Sequence, residues 1–273
     1  MSSSTVAPDL SGRHVLIPGG TGGVGEGAVR AYLAVGADVV VPTRSQERAD
    51  EFRRLLGDAA TARLHLVVHD YTTFEGAEAL VTTMENRLGG IDDVVAPIGG
   101  WWAGKRLWEI DEGDWLNAFE RLAATHMAVL RAALPRMKPD GAYSIIVGAS
   151  ASTPIPGSGL VSMEQAALLM MRQVLAAELG DQRRVFALVL GPVRTRAAGH
   201  GAPDWITADQ VGSVAVAASA SKIGGRELRL GDQAELGRAL ALLQGTEPDP
   251  TGPVGALAET PPRLASCPVR ADP

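Results

Sequence analysis

From residue 14 to about residue 230, short continuous apolar runs alternate with longer stretches of helical period. Seven runs read as strands: 14–18 (HVLIP), 38–42 (DVVVP), 64–69 (LHLVVH), 94–98 (VVAPI), 143–149 (YSIIVGA), 185–190 (VFALVL) and 227–230 (ELRL). Most carry no polar alternation, which marks strands buried on both faces, as in a parallel sheet. Helical patterns fill the gaps at 24–35, 46–56, 72–88, 115 to about 134, 161–179 and 207–220. Thr72 with Glu75, and Thr207 with Gln210, have capping-box spacing; Gly36 closes the first helix, and Pro135 with the 138–141 turn (KPDG) stops the fourth. This alternation predicts a single α/β domain over residues 10–232, a mainly parallel seven-stranded sheet with helices on both faces. Residues 1–9 read as a disordered leader, and 233–273 as a short helix followed by a Pro- and Ala-rich mobile tail.

Composition narrows the partners. A chain of 273 residues that is 46% hydrophobic can bury one large core. The net charge of -6 is wrong for a surface that tracks phosphates, so no nucleic acid partner is expected. No apolar run is long enough to span a bilayer, so no membrane contact is expected and the chain reads as cytoplasmic. The single cysteine, Cys267, forbids an intramolecular disulfide and cysteine-based zinc sites, and reads as an inert thiol in the tail. His65 and His69 are four residues apart on a strand-like run, a spacing that makes no helical face, so no metal site is expected.

The strongest chemical signal joins the first strand to the first helix. In PGGTGGVGEG, Gly19, Gly23 and Gly25 take the spacing G-x-x-x-G-x-G, with Thr21 and Val24 between them. Glycines there allow a tight turn and let the backbone approach a pyrophosphate at a helix N-terminus, so the loop points to a dinucleotide. The second strand should choose which one. An acidic residue at its end would bond a ribose 2′-hydroxyl, but the chain reads Pro42-Thr43-Arg44-Ser45, with no acid before Glu47. Arg44, with Arg48 nearby, suits a 2′-phosphate, which predicts NADP(H) over NAD(H); the competing reading is a solvated loop charge.

From about Leu10 to Asp232 the chain resembles the short-chain dehydrogenase/reductase family. The glycine loop matches that family's motif. In the segment HDYTTFE the resemblance assigns Asp70 to the adenine, with Tyr71 beside it. Ala96-Pro97-Ile98-Gly99 stands where the family has N-N-A-G and keeps only Gly99. The run from Leu190 to Thr195 (LGPVRT) resembles P-G-x-V-x-T, which assigns Thr195 to the nicotinamide carboxamide and makes Val193 a further cofactor contact. Residues 224–232 resemble the closing strand. The resemblance implies a Rossmann-type, doubly wound fold, and a homodimer or homotetramer joined through the helices at 115–134 and 161–179.

The departures fall on the proton chemistry. The family's Tyr and Lys, four residues apart on one helix face, align with Val161 and Gln165. No other register helps the Tyr, because the only tyrosines are Tyr32, Tyr71 and Tyr143. The family's Ser falls at Gly148 or Ala149, with Ser150 next, and its Asn at Leu122. Ser150 and Gln165 are therefore the catalytic candidates, and Gln165 is also a candidate ribose contact. Substrate-pocket candidates are Trp101 and Trp102 after the fourth strand, Ser150 and Ser152 after the fifth, Val161, and His200. Each has a bland counterpart: indoles can pack a loop on the core, hydroxyls can close a turn, and a histidine in a glycine-rich loop is usually solvated. Glu164 is expected on a different helix face from Gln165, and His126 is expected in the core or at an interface.

Three functions fit these residues. One is a non-standard biosynthetic enzyme acting on a hydrophobic or aromatic small molecule, either an atypical reductase or a redox-neutral cyclase, dehydratase or isomerase. The second is a non-catalytic cofactor-binding or partner protein. The third is an ordinary oxidoreductase with a substituted proton donor.

Overall fold

A computed structural model describes residues 7–196 and 201–246. The principal strands are β1 (His14–Leu16), β2 (Asp38–Thr43), β3 (Leu64–Val68), β4 (Asp93–Ala96), β5 (Ala142–Gly148) and β6 (Arg184–Leu190). A two-residue pair, β7 (Val193–Arg194) and β8 (Ile206–Thr207), precedes the last sheet strand, β9 (Glu227–Leu230). The helices are α1 (Gly23–Ala34), α2 (Gln46–Leu56), α3 (Phe74–Leu88), α4 (Glu112–Trp115), α5 (Arg121–Ala133), α6 (Gly159–Leu179), α7 (Ala208–Ala220) and α8 (Gln233–Leu243).

Seven strands form one sheet in the order β3-β2-β1-β4-β5-β6-β9, and every pairing is parallel. The fold is the Rossmann-type doubly wound α/β sheet expected from the sequence. Its period-2 strands feed two cores. Val15, Ile17, Val39 and Val41 enter a cluster with Val29, Tyr32, Phe52, Val211 and Val214 from α1, α2 and α7. Leu16, Val40, Val94 and Ala96 point the other way, onto Leu80, Met84, Val129 and Leu168 from α3, α5 and α6. Burial on both faces is why these strands carry no polar alternation. Chain order reverses between β1 and β4, so a crevice opens at the carboxyl ends of those strands.

Some boundaries differ from the sequence reading. Helix α3 is capped by Thr73, whose Oγ1 accepts from the Gly76 amide at 3.0 Å, not by Thr72. Thr72 is already committed, its amide and hydroxyl both donating to Asp70 Oδ1, and that local turn delays the helix by one residue. The long helical pattern expected at 115–134 is three pieces. Asp111 and Asp114 form a capping box that starts α4 before Trp115, and a π-type turn over Leu116–Glu120 leads into α5. Thr207 and Gln210 form the expected capping box on α7. His200 and Cys267 lie outside the described residues.

Helices α1 and α7 cross at two glycines. A Cβ on Gly27 would overlap the Ala208 carbonyl, and one on Gly212 would overlap the Gly27 carbonyl. Beside this contact the Tyr32 hydroxyl bonds the Ala215 carbonyl at 2.9 Å and Ser219 Oγ at 2.6 Å. Gly27→Ala sets two effects against each other: about 1 kcal/mol gained in helix propensity, and a backbone clash that no rotamer can relieve. The clash should win, with a net loss of roughly 2 kcal/mol or more in urea unfolding; a stabilised variant would show that the helices separate freely.

Candidate functional site

The crevice is an open cleft of about 240 Å³, lined by Gly19, Thr21 and Gly22, by Pro42, Thr43, Arg44 and Arg48, by Tyr71 and Thr72, and by Pro97, Ile98, Gly99, Leu122 and Thr125. Its floor is the turn from β1 to α1. Gly19 has φ +84°, and a Cβ there would overlap the Pro97 carbonyl, so only glycine lets the turn lie this close to the β4 exit. A Cβ on Gly25 would overlap the Gly19 carbonyl. A Cβ on Gly23 would come within 2.8 Å of the Thr195 side chain, so the loop after β6 closes directly over the glycine turn. Val24 packs against the core in the first turn of α1, and Val193 does the same in β7.

One end of the cleft is basic. Arg44 and Arg48 are both exposed there, and neither forms an ion pair among the described residues. Tyr71 is half-buried, its hydroxyl against the Gly19 amide, and burial raises its phenol above the usual tyrosine range. Asp70 is exposed and occupied with Thr72, whose two hydrogen bonds hold its carboxyl below the usual carboxylate range. Its neighbours Tyr71 and Thr72 line the cleft instead.

The other end meets α5 and α6. The Gly148 amide donates to Gln165 Oε1 at 2.5 Å. A Cβ on Gly148 would lie 3.5 Å from Ser150 Oγ and 3.7 Å from Gln165 Oε1, so the two catalytic candidates do come together around this residue. Gln165 Nε2 in turn donates to Glu164 Oε2. Both ends of the Gln165 amide thus carry a hydrogen bond within the protein. Val161, one turn earlier, is buried and has no polar atom to offer.

Glu164 is fully buried, and its Oε1 lies 3.8 Å from Nε2 of the buried His126. That nitrogen also bonds the Ile98 carbonyl at 2.9 Å, which makes it the protonated one and leaves Nδ1 without a partner. Burial, opposed only by the bond from Gln165, pushes the Glu164 carboxyl up to about 7. Burial likewise pushes the His126 imidazole down to about 4, despite the Ile98 bond.

The substrate-side loops are tied together. Gly104 N donates to the Gly157 carbonyl at 2.9 Å, Lys105 and Ser158 form a parallel bridge, and Leu107 sits where a Cβ on Gly159 would go. Lys105 also binds Asp111 and Asp114. Within this loop Trp101 is 66% exposed and Trp108 78% exposed, whereas Trp102 is half-buried; Trp115 stacks on Phe119 at 4.5 Å. Trp101 and Ser152 therefore face solvent in this conformation, and Ser150 is buried.

Known proteins are similar to this chain over most of its length. A family model described as enoyl-(acyl carrier protein) reductase matches residues 19–243. The chain is 28% identical over 204 residues to the hydroxysteroid 11-beta-dehydrogenase 1-like protein of Xenopus tropicalis, covering 72% of this chain and 70% of that one. It is 28% identical over 195 residues to dehydrogenase/reductase SDR family member 4 of Mus musculus, covering 68% of each. The fold matches an alcohol dehydrogenase from the archaeon Thermococcus sibiricus complexed with 5-hydroxy-NADP, with a TM-score of 0.70 and 22% identity over 80% of this chain and 95% of that one.

The chain belongs to the short-chain dehydrogenase/reductase family. The cleft lies at the switch point of the sheet, with the glycine turn beneath it. None of its tyrosines stands on α6. Tyr32 is bonded under α7, Tyr143 is buried in β5 with no partner for its hydroxyl, and Tyr71 is on the glycine turn.

The sequence reading puts Glu164 on a different helix face from Gln165, but does not foresee that this face is buried as well. The structure buries it beside Gln165 because α5 covers that face of α6 and presents His126 to it. Neighbouring positions on a helix are about 100° apart, so both are buried only where two elements flank the helix. The one sequence signal is a Glu in the otherwise apolar stretch GLVSMEQAALLMM.

The shifted carboxyl makes stability depend on pH. With its folded value raised from 4.5 to about 7, Glu164 favours the folded state fully below about pH 4.5 and loses that contribution as pH rises to about 7. His126 acts with the opposite sign, losing its contribution as pH falls from 6.5 to about 4. Glu164→Gln should therefore gain stability relative to the parent by on the order of 3 kcal/mol between pH 4.5 and 7, with little change above. Urea unfolding across that range measures it, and a difference flat in pH would refute the burial-driven shift.

Proposed function

We propose that this chain binds NADP(H) in the cleft and acts on a hydrophobic or aromatic small molecule by non-standard chemistry within the family. The observation that carries the reading is a contrast inside one site. The glycine cradle is intact, while the α6 face that should handle the proton presents an apolar Val161 and a Gln165 amide held at both ends.

The cleft suits a dinucleotide on its own geometry. A Cβ at Gly19 or Gly25 would fill the turn where a pyrophosphate has to approach the backbone, and α1 starts there with its free amides. At the β2 end, Arg44 and Arg48 would take a 2′-phosphate, and no carboxylate stands there to take a 2′-hydroxyl. Tyr71 would flank the adenine side, and Thr195, against Gly23, would stand at the carboxamide.

The bound nicotinamide would supply or accept hydride. Hydride transfer to a carbonyl leaves an oxyanion that the protein must protonate or stabilise. Val161 does neither, and Gln165 carries no charge to acidify a neighbour. Ser150 Oγ, beside Gly148, would be the hydroxyl to bond a substrate oxygen, with the half-buried Trp102 as an aromatic wall. Such a site suits an atypical reduction, or a redox-neutral cyclisation, dehydration or isomerisation. The exposed Met127 of α5, with Met163, Met170 and Val174 of α6, gives the two helices an apolar outer face that would pair copies of the chain.

Substituting both Arg44→Ala and Arg48→Ala should weaken NADPH binding about 10- to 100-fold and leave NADH binding within about two-fold in calorimetric titration. Equal losses for the two cofactors would remove the phosphate assignment. Once a substrate class is found by screening with cofactor present, Ser150→Ala and Trp102→Ala should each cut turnover about ten-fold or more. A protein that only binds its cofactor would be indifferent to both.

A further inference from the structure

Glu164 is a fully buried carboxylic acid facing His126, whose ring bonds the cleft wall. Ile98 and Thr125 line the cleft at the end away from Arg44. His126 follows Thr125 in α5 and bonds the Ile98 carbonyl, and Glu164 Oε1 stands 3.8 Å from its Nε2. That oxygen is buried and has no hydrogen-bond partner. The other, Oε2, accepts from Gln165, which reaches on to the Gly148 amide at the end of β5.

The polar groups facing this carboxyl are few. From α5 there is His126, which burial keeps neutral; from α6 there is Gln165, and beyond it the Gly148 amide of β5. No lysine or arginine pairs with Glu164 among the described residues. The uncharged His126 ring faces Oε1 and bonds a residue of the cleft wall, in a region where water screens little, so a charge arriving at that wall would act on the carboxyl. A dinucleotide with its 2′-phosphate at Arg44, at the end of β2, would cross the glycine turn and carry its nicotinamide toward the β4 and β5 exits.

We propose that Glu164 compensates the charge of the bound nicotinamide, ionising when the ring is positive and holding its proton when the ring is neutral. The inference rests on the dinucleotide reading above and deepens it. The exchange balances without a redox step: on binding the oxidised cofactor the carboxyl O–H breaks, the proton goes to solvent, and the carboxylate stays opposite the ring. Glu164 is thus a positioning residue that sets the charge of the site through its neighbours and touches no reacting atom.

The test is to count protons. Titrations with NADP+ and with NADPH, each run in two buffers of different ionisation enthalpy, give the protons exchanged on binding. Both cofactors carry the same 2′-phosphate, so its titration cancels in the comparison. A carboxyl that titrates at about 7 is half ionised at pH 7, and a fall of about one unit on binding NADP+ releases roughly 0.4 proton. NADP+ should release about that much more than NADPH at pH 7. The difference should fade toward about pH 5, where the acid stays protonated, and toward about pH 9, where it is already ionised. Glu164→Gln and Glu164→Met should each abolish it.

Equal proton counts for the two cofactors in the parent protein would overturn the proposal, as would a difference that survives in either variant. The pH series needs only the parent protein, so a variant that fails to fold does not protect the idea. Binding of neither cofactor is a different result: it removes the dinucleotide reading, and this inference with it.

Discussion

The architecture depends on how closely the chain can approach itself at the turn from β1 to α1. Three contacts there exclude a side chain: Gly19 on the Pro97 carbonyl, Gly25 on the Gly19 carbonyl, and Gly27 on the start of α7. The first sets the distance between the turn and the β4 exit, which forms the floor of the cleft. The second fixes the angle at which α1 leaves the sheet. The third lets α7 cross α1 closely enough for Tyr32 to reach Ser219. Adding a Cβ at Gly19 or Gly27 would push apart elements from different parts of the sheet, and one at Gly25 would open the turn itself, so the cleft and one of the two cores share a single steric constraint.

Above that floor the two ends of the cleft differ in charge and solvation. At the β2 end the arginines are exposed, and their charge can be met by a ligand at little desolvation cost. At the α5–α6 end the polar groups are buried and mostly satisfied by one another. A buried acid whose neighbours are an amide and a neutral imidazole is costly to ionise, and this cost ties the proton of Glu164 to the contents of the cleft. The family relationship supplies the fold and the oxidoreductase context. The features that distinguish this member lie in the few side chains between Gly148 and His126.

Much of the fold is legible in the sequence, for identifiable reasons. The strands are readable because burial on both faces leaves unbroken apolar runs, and the glycine turn because its spacing falls between a strand and a helix. Arg44 is readable by its place at the end of β2. The start of α3 is not, because Asp70 recruits Thr72 into a local turn that competes with the cap. The break before α5 is not, because a π-type turn keeps the helical hydrophobic pattern while rotating the face of the next helix. Glu164 is hidden for a third reason: the direction of one side chain depends on a helix distant in sequence, and neither α5 nor α6 alone reveals it.

The bridge between the loops after β4 and β5 has a mechanical consequence. Loops around an active site usually vary one at a time, each hinged on its own strand. Here Gly104 and Lys105 are stitched to Gly157 and Ser158, and Leu107 is wedged against the first residue of α6. The two loops must therefore swing as one flap, with α6 as its hinge post. Remodelling the mouth of the pocket, whether by drift or by design, would have to change both segments in step.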